Sequence, residues 1–549
     1  EMTSSVAFVR QLGAESGVQL NPLRDGSAIP AGGNADQSFG IIMRATRGRI
    51  DKPFLVDRGN VTRKLGRGEP VRVNALNEAN VHVVEALNNG AYQAVVQRLV
   101  GDGAAISWVT VTATEENTYA YAVSQTAPVG EFLFAVQHLE CFNDGIVLEF
   151  RAEERKVGGV PATNDMLTLR IRDSGGVLLY EFAGSLNPSA RDDFGGSAYL
   201  PDVVASQTDA VQLVVGVVGE AAVIRPTSIA YGYDANGRQK WAVSGTQVAF
   251  TEGALDFDTA DYVAAREKLQ GSQFEFAYLS SGGSQAPALL AQLAQLAHDT
   301  NRQFRFDVPG TLGPEAAIAF VEQLNLSSAA SAHLLHAYWA PLKTDDPSGV
   351  NPKGYFGTST LNIAFACARN AQRNAKGFAP KNYPIAGREF PVNRMGVSQT
   401  YALRDQELNA LARAKINPVV YETYTGGGRY VFRDSLTLAP VDNSLKKLVS
   451  VVEMSTSIDE AVTRAAKDSL QLPMAIATKR TADFLTSLFE AAEASGWLVP
   501  SDAPEMGGRA WAFDVKPNEV RSADALDVSY WLRYDGTNRQ TFVTQTITR

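Results

Sequence analysis

The sequence predicts a multidomain α/β protein with α+β character. An α/β core is built from N- and C-terminal blocks, interrupted by an inserted mainly β domain and ended by extended terminal arms. Three observations lead there. From about residue 255 strands and helices alternate in β-α-β-α order, the pattern of a partly parallel sheet. Between about residues 115 and 248 short apolar or alternating runs are separated by Gly, Asp and Asn clusters, a β texture. The chain of 549 residues is several times the usual domain length, and 45% hydrophobic against 20% charged residues leaves apolar surface for sizeable cores.

The first 35 residues are irregular, punctuated by Asn21-Pro22, Asp25-Gly26 and Ala31-Gly32-Gly33-Asn34 around one β-like run, Ser5 to Arg10. They read as an extended arm. Ser38 to Arg44 (SFGIIMR) is a buried strand. Asn74 to Asn88 is a helix, with Leu76, Ala79, Val83, Val84 and Leu87 on one face and Asn89-Gly90 as its stop. Ala94 to Leu99 and Ile106 to Thr112 read as strands. In the insertion, strands are expected at Phe132 to His138, Ile146 to Ala152, Leu167 to Ile171, Val177 to Phe182 and Val211 to Val218.

Beyond it, Phe274 to Leu279, Phe304 to Val308 and Ala332 to Trp339 are strands. They alternate with helices at Ala286 to His298, Pro314 to Leu324 (proline in the first turn) and Thr360 to Arg373. A helix at Leu403 to Ala414 leads into a hairpin, Pro418 to Tyr424 and Arg429 to Leu438, turning through Gly426-Gly427-Gly428. Ser457-Ile458-Asp459-Glu460 reads as a capping box opening a helix to about Leu470. A further helix spans Ala482 to Ala494, and two β runs, Ala525 to Tyr534 and Arg539 to Thr548, follow across Asp535-Gly536. The expected division is 1–35 (arm), 36–114 (first part of the core), 115–248 (outward-facing β insertion), 249–400 (α/β), 401–536 (C-terminal core) and 537–549 (arm strand).

Composition narrows the function. Fifty basic against 59 acidic residues give a net charge of −9, which argues against a protein that wraps nucleic acid. Cys141 and Cys367 build neither a disulfide framework nor a Cys-rich zinc site. No run of 18 apolar residues suggests a membrane span, and Glu1 to Leu20 lacks the features of a secretory signal. The expectation is a soluble chain made in the cytoplasm, and Glu1-Met2 hints that residue 1 is not the native start.

Chemistry-bearing motifs are scarce, and no catalytic, cofactor-binding or metal-binding residue is assigned. His333 and His336 stand three apart in a strand-like context, which puts them on opposite faces, and no HExxH accompanies them. His82 and His298 fall within amphipathic helices. The triple glycine at 426–428 lacks the following Lys-Ser/Thr of a phosphate loop and reads as a turn. Cys367 lies on an apolar helix face, as a small hydrophobe would. Asp192-Asp193 and Asp345-Asp346 read as solvated loop charges. An enzyme, hydrolytic or carbohydrate-active, would instead need convergent polar groups at the carboxyl ends of the sheet. A β-rich virion or surface-layer lattice protein is the third class.

Two blocks carry a family resemblance. SFGIIMRATRGRIDKPFLVDRGNVTRKLG followed by NEANVHVVEALNNGAYQAVVQRL resembles the start of a contractile tail sheath protein, with Gly48, Pro53, Leu65-Gly66 and Leu87-Asn88-Asn89-Gly90-Ala91 at the corresponding places. LNALARAKINPVV, the hairpin ending RDSLTLAP, LKKLVSVVEMSTSIDEAV, and Gly496-Trp497-Leu498 before the terminal strands are similar to the C-terminal part of that family. Together the blocks cover about two-thirds of the chain; the long polar arm before Ser38 departs from the pattern.

The resemblance implies a subunit of a bacteriophage tail, or of a related contractile injection system, polymerising as stacked hexameric rings around an inner tube. It implies no cofactor and no catalysis. The partners it implies are further copies of the chain, the tail tube protein, and baseplate and tail terminator proteins, with no direct nucleic-acid contact and no membrane insertion. It also implies a place in the virion tail after assembly in the host cytoplasm. Terminal arms would add strands to neighbouring subunits through Val6 and Phe8 at one end and Thr541, Val543 and Gln545 at the other. Lys479 and Arg480, read as lying just before the Ala482 helix, are the candidate contact with the tube.

Overall fold

The computed structural model describes residues 35–68, 79–115, 118–152, 155–157, 160–162, 166–222, 235 and 241–548. These divide into two units, one of residues 35–368 with 385–449 and the other of 369–384 with 450–548.

The larger unit is organised by one sheet. Its strands are β1 (Ser38–Met43), β2 (Phe54–Val56), β3 (Gln93–Arg98), β4 (Tyr278–Ser280), β5 (Gln303–Val308), β6 (Leu335–Trp339), β7 (Ile416–Tyr424) and β8 (Gly427–Phe432). The order across the sheet is β2-β3-β1-β4-β5-β6-β7-β8. The six central strands are mutually parallel. β2 and β8 close the sheet antiparallel at its two edges. β1 and β5 are buried at every position, as strands covered by helices on both faces must be. The expected partly parallel sheet is therefore present, and it draws strands from 36–114, 249–400 and 401–449 together.

Helices at Ala79–Asn88, Pro287–Thr300, Pro314–Leu324 and Ser359–Asn370 connect these strands. The first ends at Gly90, whose φ of +120° suits glycine, and an added Cβ there would lie 2.5 Å from the Cβ of Ala368. Gly90→Ala should therefore lower stability by about 2–4 kcal/mol, combining backbone strain with overpacking. Denaturant titration checks this; a loss below 1 kcal/mol would mean the helix ends shift freely.

Among its described residues the insertion carries two antiparallel four-stranded sheets and a short ladder of Arg155–Val157 with Val160–Ala162. One orders Leu178–Ser185, Met166–Asp173, Ile146–Ala152 and Ala242–Gln247; the other orders Val211–Val215, Phe134–His138, Trp108–Glu115 and Thr118–Ser124. Strict alternation of burial along Ile146–Ala152 places Ile146, Leu148 and Phe150 inward, where Phe150 meets Phe134 edge-to-face at 5.2 Å. Trp108–Glu115 is an interior strand of the second sheet, so these residues pack with the insertion although they precede residue 115.

In the smaller unit two long helices, Val449–Asp468 and Met474–Ala494, accompany a hairpin of Trp511–Pro517 with Leu526–Leu532. Three expectations are corrected here. Ser457 is not a cap: the helix begins eight residues earlier, and the Ser457 hydroxyl donates to the Glu453 carbonyl (2.9 Å) within it. The last helix opens at Met474, so Lys479 and Arg480 lie inside it rather than before it. The run from Arg539 to Thr548 forms no strand among the described residues. Leu526–Leu532 pairs backwards with Trp511–Pro517, because that register stacks Trp511, Phe513 and Tyr530 on Phe489 at 5.6–6.2 Å.

Candidate functional site

Three constellations were weighed as places where the chain could act: the carboxyl ends of the parallel strands, the arginine-rich loop after β1, and the C-terminal hairpin with its tail.

At the carboxyl ends buried polar groups converge and several pair with one another, while the Ser281 and Thr358 hydroxyls have no hydrogen-bond partner among the described residues. Asp307, at the end of β5, accepts the backbone N–H groups of Thr358 and Ser359 (2.8 Å each) and the Ser359 hydroxyl (2.7 Å). It thereby caps the Ser359–Asn370 helix, where a carboxylate also complements the dipole. Ser280 and Thr360 share a hydroxyl hydrogen bond of 2.7 Å. Arg394 grips Glu85 with two bonds of 2.8 Å and also donates to the carbonyls of Phe356 (2.7 Å) and Gly357 (2.5 Å). All of these side chains are buried.

The loop after β1 works as a clamp on the insertion. Arg44 donates to Glu252 (2.6 and 3.0 Å); Arg47 donates to Asp144 (2.9 and 2.5 Å) and Asp173 (3.3 Å). Arg49 holds Asp51, and Arg98 on β3 reaches the Gly48 and Cys141 carbonyls and the side chain of Asn143. Burial alone would raise the Asp144 carboxyl, but the Arg47 guanidinium and the Ser174 hydroxyl overcome this and hold it below its ordinary range. The sequence showed these arginines only as R-A-T-R-G-R after a buried strand; the acidic partners of Arg44 and Arg47 lie about 100 to 210 positions away in the chain, while Arg49 has Asp51 two residues on.

Glu140 anchors the same junction. Lys64 donates to one of its oxygens at 2.8 Å, while the Tyr180 hydroxyl (3.0 Å) and His138 Nε2 (3.3 Å) face the other. Burial would raise this carboxyl, yet His138 and Lys64 hold it well below its ordinary value of 4.5. A depressed carboxylate stabilises the fold fully above its unfolded value and loses that contribution as pH falls through the folded one. The urea midpoint should thus drop as pH is lowered from about 5 towards 3, and Glu140→Gln should flatten part of that slope. An unchanged slope in the variant would show that Glu140 does not couple folding to pH.

The C-terminal hairpin is a two-stranded ladder, and among the described residues neither strand has a partner on its outer edge. Its inner face packs on Phe489, and Tyr530 donates to Asp459 while Trp511 Nε1 donates to Glu493 (3.0 Å). On the opposite face Trp531 is 53% exposed. Leu498 bridges Tyr534, and the Ser450 and Thr537 hydroxyls lie 3.3 Å apart. From Asn538 on the chain is extended, exposed and without strand, with Phe542, Val543 and Ile547 each about 90% exposed. Thr541, Val543 and Gln545 are in this tail, whereas Val6 and Phe8 lie outside the described residues. The Trp511–Pro517 strand was missed, although its alternation W-A-F-D-V-K-P is the signal that marks it.

Lys479 and Arg480 are exposed on their helix. His336 Nε2 lies 3.1 Å from the His333 carbonyl, and the two residues belong to different elements, a 3₁₀ turn and β6. Among the described residues no group of three or more His, Cys, Asp or Glu side chains is placed to hold a metal, and no helix is long and apolar enough to cross a membrane.

Comparison with solved structures finds likeness to proteins of contractile machines. The crystal structure of the sheath tail protein from Desulfitobacterium hafniense aligns over 91% of this chain and 93% of its own, with a TM-score of 0.46 and 11% identity. A chain of the anti-feeding prophage baseplate, seen by cryo-electron microscopy, aligns over 56% of this chain and 78% of its own, with a TM-score of 0.39 and 13% identity. No family model and no curated protein matches the sequence.

Proposed function

We propose that this chain is a structural subunit of a contractile tail sheath, polymerising as stacked hexameric rings around an inner tube and contracting to drive that tube through a cell envelope. The observation that carries the reading is the pairing of two features at the C-terminus. A hairpin whose outer edges have no partner among the described residues is followed by a tail whose apolar side chains are exposed. Unpaired edges are templates for a further strand, and backbone hydrogen bonds then supply the affinity. A tail rich in Thr, Val, Ile and Phe has the composition of such a strand. The order and spacing of the two sheath-like sequence blocks support the same reading.

In this assembly Thr541, Val543 and Gln545, with Val6 and Phe8 at the other end, link neighbouring copies. The β insertion faces outward, and baseplate and tail terminator proteins cap the cylinder within the virion tail. Electron microscopy of the purified chain tests the reading: striated cylinders support it, and dispersed particles at every concentration and salt condition would refute it.

Lys479 and Arg480 are proposed to face acidic groups on the tube protein. Their position inside the Met474–Ala494 helix removes any clash with its dipole, which acts within the first turn, but keeps both side chains exposed. Exposed charge pairs contribute only about 0–1 kcal/mol each, which suits a contact that must release. Replacing both with Glu should impair assembly on tubes at least tenfold and leave tube-free polymers intact. Equal assembly on tubes would show the pair to be merely solvated.

A further inference from the structure

The outer face of the insertion's first sheet carries an arginine whose buried Nε has no hydrogen-bond partner among the described residues. Charged residues alternate with the inward-facing core there: Glu149 and Arg151 on Ile146–Ala152, Arg170 and Arg172 on Met166–Asp173, and Glu181 on Leu178–Ser185. Arg172 donates to Glu149 at 2.8 Å and Arg170 to Glu181 at 2.5 Å, so four of these five charges cancel in pairs. Arg151 is the fifth. Among the described residues it makes no hydrogen bond or ion pair, and its Nε is buried.

What Arg151 does have is an aromatic neighbour. Its guanidinium lies 4.4 Å from the centroid of Trp241, and that of Arg170 lies 4.2 Å from the same side chain. Stacking fixes a guanidinium's plane and is worth about 0.5–2 kcal/mol, but it accepts none of the five N–H donors. The group is therefore oriented, partly desolvated and still short of acceptors. Val243, 53% exposed on the neighbouring strand Ala242–Gln247, adds an apolar surface.

We propose that this face binds a carboxylate-bearing sugar, with Arg151 pairing the carboxylate. A planar fork matches a carboxylate bidentately, and it does so best where its plane is already fixed. Among the described residues the face carries three arginines against two glutamates, one net positive charge. That fits a monoanionic uronate-type sugar. A dianionic phosphate fits that balance less well. The C–H faces of a pyranose ring suit the apolar surface beside the arginine. The proposal stands apart from the sheath reading, since it needs only the folded insertion.

The test is titration of the full-length chain with oligogalacturonate by calorimetry, beside its methyl ester and poly-glutamate. Saturable binding of the acid, with the methyl ester at least tenfold weaker, is expected. Arg151→Met should weaken binding at least tenfold without moving the thermal midpoint, and Arg151→Lys should recover part of it. Should Arg151→Met fail to fold, protection of Arg151 in the unaltered chain from phenylglyoxal by oligogalacturonate, read by peptide mass spectrometry, supplies the same answer. Absence of saturable binding, equal binding by Arg151→Met, or failure of the sugar to protect Arg151 would overturn the proposal. Tighter binding of poly-glutamate would overturn it too, assigning the face to an acidic protein partner.

Discussion

Deleting Arg539–Arg549 is expected to yield a folded monomer that does not polymerise. The tail makes little contribution to its own chain: Phe542, Val543 and Ile547 stand about 90% exposed, and the residues from 538 to 548 form no strand. Surface changes away from buried features move stability by about 0.5 kcal/mol or less, so thermal and circular dichroism profiles should match those of the full chain. Assembly should respond very differently. An added strand making about six backbone hydrogen bonds, each worth a net 0.5–1.5 kcal/mol, gains roughly 3–9 kcal/mol per link before ordering costs. Every subunit in a lattice repeats that loss. Sedimentation and electron microscopy of the truncated chain should show monomers under conditions in which the full chain is expected to form cylinders. Val543→Pro offers a milder version, since proline removes a ladder donor and fits poorly within a paired strand. Cylinders of normal length from the truncation would sink the arm hypothesis while leaving the fold untouched.

The second large effect is expected inside the sheet-bearing unit. Glu85 and Arg394 form a bidentate pair with side-chain exposures of 4% and 2%, tying the Ala79–Asn88 helix to a segment more than 300 residues later. Glu85→Gln removes the carboxylate that faces the buried Arg394 charge, and breaking a buried pair from one side costs about 3–5 kcal/mol. At about 2–4 °C per kcal/mol for large domains, the melting temperature should fall by roughly 6–20 °C. Replacing both residues with Met should restore much of it, because two apolar side chains need no counter-charge. A loss below 1 kcal/mol in the single variant would mean that water enters the pair and compensates it. Neither variant touches the tail, so polymerisation at low temperature should survive both.

How much was legible in advance follows from the range of the interactions. Local periodicity marked Pro314–Leu324 and Ile146–Ala152 at their exact ends, since an N1 proline and strict alternation are written within a few residues. The partly parallel sheet was legible because β-α-β alternation has few allowed topologies. Ser457 misled because a Ser-x-x-Glu spacing is also what a helix interior can contain; only the buried face of Val449–Asp468 fixes the true start. The terminal hairpin was not foreseen because the strand Trp511–Pro517 was missed; the aromatic cluster on Phe489 selects it as the partner of Leu526–Leu532.

The sequence by itself determined the class of architecture, the presence of a β insertion, the scarcity of catalytic motifs and a β-prone tail. Each of these depends on composition or on neighbours a few positions apart. Tertiary structure alone decided that Arg44, Arg47, Arg49 and Arg98 clamp the insertion, that Asp307 is a helix cap rather than a free carboxylate, and that Arg151 is left over on the outer face. A charge carries no mark of its partner in the chain. Whether it is cancelled, buried or left seeking a ligand is settled only when folding brings acids and bases from distant positions within about 3 Å of one another.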